Sequence, residues 1–466
     1  MKKCSKNYWQ LLIILSATCL HYSCSRNTTA FDRVSLLNYY SLSEDSLKRK
    51  AVSFLFENIS SHTSELPIPV HRIVPDASII NNNFLISDID LAFEHWNKYP
   101  WADEVPFDIF LSFLLPYKVY GEEPSKWRSF FQEKFQNSIN YLLNTLEIET
   151  LRSTNEIYYR IIVHNVGQWF KYEQNPVRFT RYPGLNELMT VKAGDCFGQS
   201  YLNVMILRSL GIPATIDYIP MWGRRNGTHA SEVFWDNELK KFRTASGREF
   251  RFPAKVFRYT FKQQNGWTDS ILPVIKRNPF LLSFLQHNHW KDVTHEHTIT
   301  ASVEYKWDFS TDFAYICVLN YGQWLPVYWG KVENGKARFE NMGADMLYRV
   351  AVPKGSSFEL ISPIFHLDET GNKTFFKSNP SEKINLPLSK LNTGALSWVK
   401  VDKNYSLYYY DKNNDWTLFQ TQQCKTDSVI VFNGVPSNTL YWLWNVERER
   451  RLERPFLYQN GEQIFF

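Results

Sequence analysis

Apolar and polar positions follow two different periods along this chain, and the change of period divides it. Between about Leu36 and Glu147, apolar residues recur at helical spacing in segments such as SEDSLKRKAVSFLFENIS and PSKWRSFFQEKFQNSINYLLNTL. A further helical segment, NEIYYRIIVHNVGQWFKYE, leads into a region where one helix and several short strands alternate. After about Lys291 the pattern is the two-residue alternation of strands. The sequence therefore predicts an α+β protein with a helical first part and a β-rich last part.

The length of 466 residues is too great for one ordinary core, so we expect several domains. We predict a leader at 1–24, a helical N-terminal region at 25–150 and a mixed core at 151–300. Two β-sandwich-like domains follow at 301–388 and 389–466, and the connector NLPLSKLNTGAL lies at their junction. Hydrophobic residues make up 44% of the chain and charged residues 21%, which is typical of a globular protein.

The first residues, MKKCSKNYWQLLIILSATCLHYSCSRN, combine three lysines with a short apolar segment. This is the pattern of a secretory signal, and its apolar segment is too short to span a membrane. Ser23 followed by Cys24 and a polar tether is similar to the lipidation site of bacterial lipoproteins. We therefore predict a lipid anchor at Cys24, with the protein in the cell envelope at the outer membrane. Lipidation at Cys19 and plain signal cleavage are the alternatives, because His21 and Tyr22 are unusual residues before a lipidated cysteine.

Charge and motif content exclude several classes of partner. Loss of residues 1–23 lowers the formal net charge from +5 to +2, because that segment holds three lysines and no acid. Such a balance does not predict a nucleic-acid partner. The sequence also has no metal-ligand spacing and no glycine-rich nucleotide motif, so we predict no metal and no cofactor.

One cysteine stands where thiol chemistry is expected. Asp195-Cys196 precedes a helical pattern that Gly211 ends, and the first turn of a helix carries unpaired N–H groups and partial positive charge. Both properties lower a thiol pKa, so we expect Cys196 to be the most reactive thiol, with a pKa below that of free cysteine. His229 follows in GTHASEVFWD, where alternation predicts a strand. A thiol at a helix start and an imidazole on a strand behind it form the arrangement that acyl transfer needs.

The motifs GDC at 194–196, LRSLGIPA at 207–214 and HASEV at 229–233 resemble the core pattern of the transglutaminase-like superfamily. The segments DLAFEHWNKYPWADEVPFD and FLLPYKVYGEEPSKWR are similar to the helical prelude of Bacteroidetes lipoproteins that carry such a domain. The resemblance implies a papain-like fold for the core. It also implies that Cys196 is the nucleophile and His229 the general base, acting on amide bonds.

The sequence departs from that family at the residue that orients the histidine. The resemblance implies an aspartate on the strand after the histidine strand, and no acid stands there. A hairpin turn centred on 237–238 would pair His229 with Ser246, whose hydroxyl would then fix the imidazole tautomer in place of the acid. A register change of one residue would put Ala245 or Gly247 there instead. Glu232 is expected to point to the opposite face of the strand.

Two functions are compatible with these features. The first is a thiol enzyme that hydrolyses or transfers amide bonds of a peptide or protein, with Gln199 and Trp222 as candidate substrate-binding residues. The second is a catalytically inactive scaffold, anchored at the cell surface, whose aromatic-rich β-domains bind a glycan or a protein. The intact pair of Cys196 and His229 favours the first function, while the missing acid and the two appended β-domains favour the second.

Overall fold

The structure is a computed structural model of the chain. It describes residues 32–42, 45–67, 71–178, 180–244, 250, 252–264, 288–355, 357–393 and 396–466. The predicted leader with Cys24, and the residue Ser246, lie outside these ranges. Helices and sheets both contribute substantially, as the α+β prediction requires. Within the described ranges, no helix has the length and apolar character needed to cross a bilayer.

The first part of the chain is mainly helical and buries one face of each long helix in a common core. Leu55, Ile89 and Phe110 are among the residues buried there. The helices are α1 (Arg33–Tyr39), α2 (Ser46–Ile59), α3 (Asn82–Lys98), α4 (Phe107–Ile109), α5 (Trp127–Thr145), α6 (Ile148–Arg152), α7 (Thr154–Tyr158) and α8 (Gly167–Trp169), with π-helical turns at Phe110–Leu114 and Tyr159–Val166 and 3₁₀ turns at Asp76–Ser78 and Pro100–Ala102. Short strands are β1 (Thr63–Leu66), paired antiparallel with β2 (Arg72–Pro75), and β3 (Lys171–Tyr172).

The central part consists of two helices and a mixed set of strands. Its elements are α9 (Leu185–Val191), β4 (Ala193–Gly194), α10 (Cys196–Ser209), β5 (Ala214–Ile219), β6 (His229–Asp236), β7 (Lys241–Thr244), β8 (Phe257–Tyr259) and β9 (Trp290–Asp292), followed by a 3₁₀ turn at Thr294–Glu296. The sheet order is β7-β6-β5-β8-β9, with antiparallel neighbours.

Helix α10 is the centre of the second core. Every residue from Ser200 to Ser209 is buried, and a helix that is enclosed on all sides belongs inside a domain. It packs against α5 on one side and against β5 and β6 on the other. Gly211 ends it with φ +78°, and a Cβ there would lie 2.4 Å from the carbonyl oxygen of His95. Only glycine therefore allows both the turn and the close approach of α3.

The described residues beyond Thr300 form strands and no helix. The first group is β10 (Thr300–Lys306), β11 (Phe313–Asn320), β12 (Gln323–Glu333), β13 (Lys336–Gly343), β14 (Met346–Lys354), β15 (Ser357–Leu360), β16 (Phe365–Leu367) and β17 (Lys373–Phe375), in the order β10-β13-β12-β11-β14-β16-β17 with β15 also on β14. The second group is β18 (Asn379–Leu388), β19 (Lys390–Asn392), β20 (Leu396–Trp398), β21 (Asn404–Tyr410), β22 (Trp416–Gln423), β23 (Ile430–Ser437), β24 (Tyr441–Asn445), β25 (Phe456–Gln459) and β26 (Glu462–Phe465). In it, β18 pairs with β23, β19 pairs with β20, and the larger sheet has the order β22-β21-β24-β25-β26.

The loop at 221–228, which joins β5 to β6, is held by this β-rich part. Asn226 donates from Nδ2 to the carbonyl of Leu452 at 2.7 Å, and its Oδ1 accepts the N–H of Tyr321 at 2.8 Å. The N–H of Gly227 donates to Asn320 Oδ1 at 2.9 Å. Because these contacts precede His229 directly, they fix the direction in which the chain enters β6.

A buried arginine ties the same loop to both groups of strands. The guanidinium of Arg454 donates to the carbonyl oxygens of Phe466, Leu319 and Gly223 at 2.8, 2.5 and 2.5 Å. It makes no ion pair with any residue that the structure describes, and burial lowers its pKa to about 9. Three carbonyls from three separate segments therefore replace the carboxylate that usually accompanies a buried arginine.

Candidate active site

The loop before α10 is shaped to present Cys196 at the first position of the helix. Asp195 is the N-cap: its Oδ1 accepts the N–H groups of Phe197 and Gly198, both at 3.1 Å. Asp195 forms an ion pair with Arg178 in turn. A Cβ at Gly194 would lie 3.0 Å from backbone atoms of Gly198, so the chain needs glycine to turn this tightly into the helix.

The Cys196 thiol is half-buried and lies beside the start of β6. The N–H of Ala230 is directed at the sulfur, and the N–H groups of Phe197 and of Cys196 itself also favour the thiolate. Burial nevertheless outweighs them, and the nearby Asp195 adds to it, so the thiol pKa is raised. The prediction of a lowered pKa is therefore wrong. Cys196 does stand at a helix start, but burial of the sulfur raises the thiol pKa by more than the positive end of the helix lowers it.

His229 is the first residue of β6 and sits in an aromatic setting. Its ring stacks on Trp222 with centroids 5.9 Å apart and meets the edge of Phe250 at 5.7 Å. Burial, together with the charge of Arg225, lowers its pKa to about 4. No residue in the described ranges hydrogen bonds to the imidazole. His229 is thus neutral at pH 7, and so is the Cys196 thiol.

The structure brings the two predicted catalytic residues to one end of the sheet. Ala230 follows His229 in the chain, and its N–H lies close enough to the Cys196 sulfur to favour the thiolate. Ala230 faces α10, however, whereas the His229 side chain lies on the other face of the sheet with Trp222, so the thiol and the imidazole are not in contact. Trp222 is buried and covers the imidazole. Gln199 lies one turn after Cys196, half-buried, and its N–H donates to the carbonyl of Asp195 at 2.9 Å.

The register from which Ser246 was inferred is wrong. In the described part of the hairpin Asp236 pairs with Lys241 and Val233 with Thr244, a shift of two residues from a turn centred on 237–238. The cause is local: Asp236 Oδ1 accepts the N–H groups of Glu238 and Leu239, which moves the turn to 237–240. Ser246 itself lies outside the described residues.

An acid does occupy the histidine's side of the sheet, but it has other partners. Asp217 on β5 pairs with Ser231 and so shares a face with His229. It accepts two hydrogen bonds from Arg258, both at 2.9 Å, and one from His297 Nε2 at 2.7 Å. Burial alone would raise the pKa of Asp217, but the Arg258 guanidinium and the hydrogen bond from His297 outweigh it and hold that pKa at about 2. Asp217 therefore serves a buried ion network and does not orient the imidazole of His229.

Glu232 lies on the opposite face, as alternation predicts, and fastens α10 to the sheet. Its Oε1 accepts from Tyr158 Oη at 2.7 Å and from Asn203 Nδ2 at 2.9 Å. Its Oε2 accepts from Ser200 Oγ at 3.3 Å. The carboxyl is buried, and that burial raises its pKa. This support for the helix that carries Cys196 involves residues far apart in the chain, so the sequence alone did not reveal it.

Two tyrosines complete the surroundings of the thiol. Tyr218 contacts Phe197 with ring centroids 5.4 Å apart, and burial together with the Cys196 thiolate raises its pKa to about 12. The exposed Tyr172 on β3 also has its pKa raised, by partial burial and then by Cys196. Tyr218 pairs with Ala230, so strand alternation could have identified it; Tyr172 and Arg178 carry no such signal.

Among the residues that the structure describes, the other thiols and the metal-binding residue types form no second site. Cys317 and Cys424 are both buried, and burial raises the pKa of each. Across the described ranges, no group of three or more His, Cys, Asp or Glu residues is arranged to hold a metal ion. Cys196 is the most accessible thiol in the part of the chain that the structure describes.

Comparison with known proteins gives weak structural similarities. No protein-family model and no curated protein matches the sequence. A solved structure described as a putative cysteine protease from Cytophaga hutchinsonii matches with a TM-score of 0.18 and 11% identity over 54% of this chain and 59% of the other, so this chain spans less than two thirds of that protein. Red sea bream transglutaminase matches with a TM-score of 0.21 and 10% identity over 84% of this chain and 75% of the other. At such low TM-scores neither protein transfers an activity to this chain, and the site is interpreted from its own geometry.

Proposed function

We propose that this chain is a transglutaminase-like thiol enzyme that hydrolyses or transfers amide bonds of a peptide or protein. Cys196 is the nucleophile and His229 the general base. One observation carries the proposal: the half-buried thiol is at the first residue of α10, and the N–H of Ala230, the residue after His229, lies close enough to favour its thiolate. Acyl transfer requires a nucleophile and an imidazole that can reach it, so in this proposal the His229 side chain turns from the other face of the sheet toward Cys196 when substrate binds.

The resting site is a neutral pair, which sets the order of the proton transfers. The imidazole of His229 accepts the thiol proton as the sulfur of Cys196 attacks the amide carbon. Phe197 and Gly198 donate their N–H groups to Asp195, so the N–H groups of Cys196 and Ala230 are the donors nearest the developing oxyanion. The imidazolium then protonates the departing amine, leaving a thioester. Water releases an acid from it, and an amine gives a new amide.

The same environment predicts slow turnover. Burial and the Arg225 guanidinium both oppose a positive charge on His229. In the described residues no carboxylate contacts the ring to compensate. Loss of such an acid in other Cys- or Ser-His enzymes lowers the rate by orders of magnitude without abolishing it. A substrate that itself places negative charge near the site would be favoured.

We further propose that the enzyme works in the cell envelope, attached to the outer membrane by a lipid at Cys24. The support is the order of basic, apolar, serine and cysteine residues in the first 24 positions. A peptide or protein is the substrate in this proposal, and the β-rich part is a candidate glycan-binding surface.

The test uses the full mature chain and a library of N-blocked peptides in ¹⁸O-labelled water, with and without a biotinylated alkylamine. Hydrolysis inserts one ¹⁸O into the product acid, whereas transfer attaches biotin. Both products should disappear in Cys196→Ala and fall strongly in His229→Ala. Cys424→Ala is the matched control, because that thiol is buried in the β-rich part, and it should retain activity. Products that persist in Cys196→Ala would overturn the proposal.

The second candidate function, an inactive binding scaffold, has one observation in its favour. Within the described ranges, no residue hydrogen bonds to the imidazole of His229, and the thiol pKa is raised rather than lowered. A complete absence of product together with Cys196 alkylation that is indifferent to His229→Ala would favour this scaffold over the enzyme.

A further inference from the structure

A pocket of about 670 Å³ opens next to the Cys196 loop, between the β1–β2 hairpin and residues 178 and 180–182. His71 and Arg72 of the hairpin line one wall, and Arg178 and Arg181 line the other. We refer to it as the arginine pocket. His62 lines the pocket and is held by two contacts: its Nε2 hydrogen bonds to the carbonyl of Phe261 at 2.9 Å, and its Nδ1 lies 3.2 Å from the hydroxyl of Tyr259.

The arginine pocket is joined to the thiol by two contacts. Arg178 lines the pocket and also forms the ion pair with Asp195, the residue directly before Cys196. Tyr218 lies near both groups: burial and then the Cys196 thiolate raise the pKa of its hydroxyl, and the Arg181 guanidinium opposes that rise. A substrate bound at Cys196 therefore has the arginine pocket beside it.

The charged side chains that line the arginine pocket favour an anionic ligand. Among the described lining residues there are three arginines and one carboxylate, Glu65. Glu65 is occupied in fastening the walls together, since it accepts the N–H of Arg181 at 3.0 Å and faces His71 Nδ1 at 3.4 Å. Asp195 compensates Arg178, while Arg72 forms no ion pair in the described part of the chain. The pocket thus keeps a cationic excess, because Arg72 has no counter-ion among the described residues, and planar guanidinium groups bind carboxylates well.

We propose that the arginine pocket binds a carboxylate of the acyl donor, so that the substrate is an acidic peptide with its carboxylate close to the amide that Cys196 attacks. This inference rests on the proposed function, because it takes Cys196 as the reacting group. It adds to that function the charge of the substrate and the residues that recognise it, Arg72 and Arg181.

The first test measures the charge that Cys196 experiences, using two alkylating reagents that differ in charge. The rate constant with anionic iodoacetate is divided by that with neutral iodoacetamide, and the same ratio is taken for N-acetylcysteine amide. We expect the ratio for Cys196 to exceed the free-thiol ratio by about twofold at low salt, as one unit charge at a separation of about 9 Å in water would produce. Added salt should bring the two ratios together.

Arg72→Gln and Arg181→Gln should each lower the ratio, and both positions are exposed, so the fold tolerates them. Lys306→Gln is the matched control, since it removes an exposed cation from β10 and should leave the ratio unchanged. A ratio that is equal to that of the free thiol, or that is indifferent to both arginine variants, overturns the inference while leaving the proposed function intact.

The second test asks whether a carboxylate occupies the pocket. Glutarate should slow alkylation of Cys196 by neutral iodoacetamide, whereas glutaramide at the same concentration should not. Protection by glutarate should weaken in Arg72→Gln. Equal protection by the two compounds overturns the inference, and a Cys196 that neither alkylating reagent modifies overturns both this inference and the proposed function.

Discussion

Removal of the Glu232 carboxylate gives a sharp test of how α10 is held against the sheet. In Glu232→Ala, the donors Tyr158 Oη and Asn203 Nδ2 lose their shared acceptor inside the core. Ser200 is spared, because its hydroxyl also reaches the carbonyl of Cys196 at 2.7 Å. Each orphaned buried donor costs about 1–3 kcal/mol, so with the cavity we expect a loss of about 3–5 kcal/mol in the free energy of unfolding.

Glu232→Gln should be nearly neutral for a reason visible in the structure. Tyr158 and Asn203 both donate to Oε1, so the amide oxygen of glutamine can keep both bonds. The amide nitrogen then takes the place of Oε2 and donates to Ser200 Oγ, whose own proton goes to the Cys196 carbonyl. We expect a cost below about 1 kcal/mol.

The two variants also differ in pH dependence. Burial raises the pKa of Glu232 in the folded protein. A carboxyl of this kind contributes stability that is fully present below its unfolded pKa of about 4.3 and is lost as pH rises through the folded pKa. The wild-type protein should therefore lose stability relative to Glu232→Gln as pH rises above about 4.3, since glutamine does not titrate.

Urea unfolding at several pH values, followed by tryptophan fluorescence and by hydrogen exchange of the α10 amides, measures these differences. Glu238→Ala is the matched control, because that glutamate is exposed in the turn of the same hairpin and should change little. If Glu232→Gln costs as much as Glu232→Ala, the network depends on the charge itself and our reading of its hydrogen bonds is refuted.

Three further predictions concern other parts of the molecule. The rate of Cys196 alkylation by iodoacetamide should rise with pH, with an apparent pKa above that of a free thiol, and His229→Ala should lower that rate at pH 7. Peptide mass spectrometry at several pH values measures both effects. A rate that is already at its plateau at acidic pH would contradict a neutral resting pair. Arg454→Met should cost about 2–4 kcal/mol and expose the 221–228 loop to limited proteolysis, and unchanged cleavage would exclude a role in holding that loop. Cys24→Ala should abolish labelling by a fatty-acid probe and release the protein from the membrane fraction, and persistent labelling would disprove the anchor.

Local signals in the sequence were enough to locate Cys196 at the start of its helix. Asp195 as cap, Cys196 as first residue and Gly211 as stop are all set by neighbours within a turn, and the structure has them in those roles. His229 likewise begins a strand, as the alternation around it indicates. Such features are readable because the backbone chemistry that determines them lies within a few residues.

The properties of the site were not readable in the same way. The pKa of Cys196 depends on how deeply the sulfur is buried, which is a product of the whole core. The hairpin register depended on one side chain, Asp236, whose hydrogen bonds moved the turn and shifted the strand pairing by two residues from the expected one. Contacts such as those of Arg178 with Asp195, or of Glu65 with the N–H of Arg181, join segments for which the sequence carries no pairing signal.

The attachment of the 221–228 loop also has a consequence for the order in which a nascent chain matures. Asn226 bonds a residue 226 positions later, and Gly223 bonds one 231 positions later. A ribosome finishes Cys196 and His229 when only about half of the chain exists, yet the loop that leads into His229 lacks these partners until Leu452 and Arg454 have been made. Assembly of the thiol and the imidazole is thus coupled to completion of the β-rich part, and a chain that stops short of residue 452 keeps both reactive groups without the scaffold that aligns them.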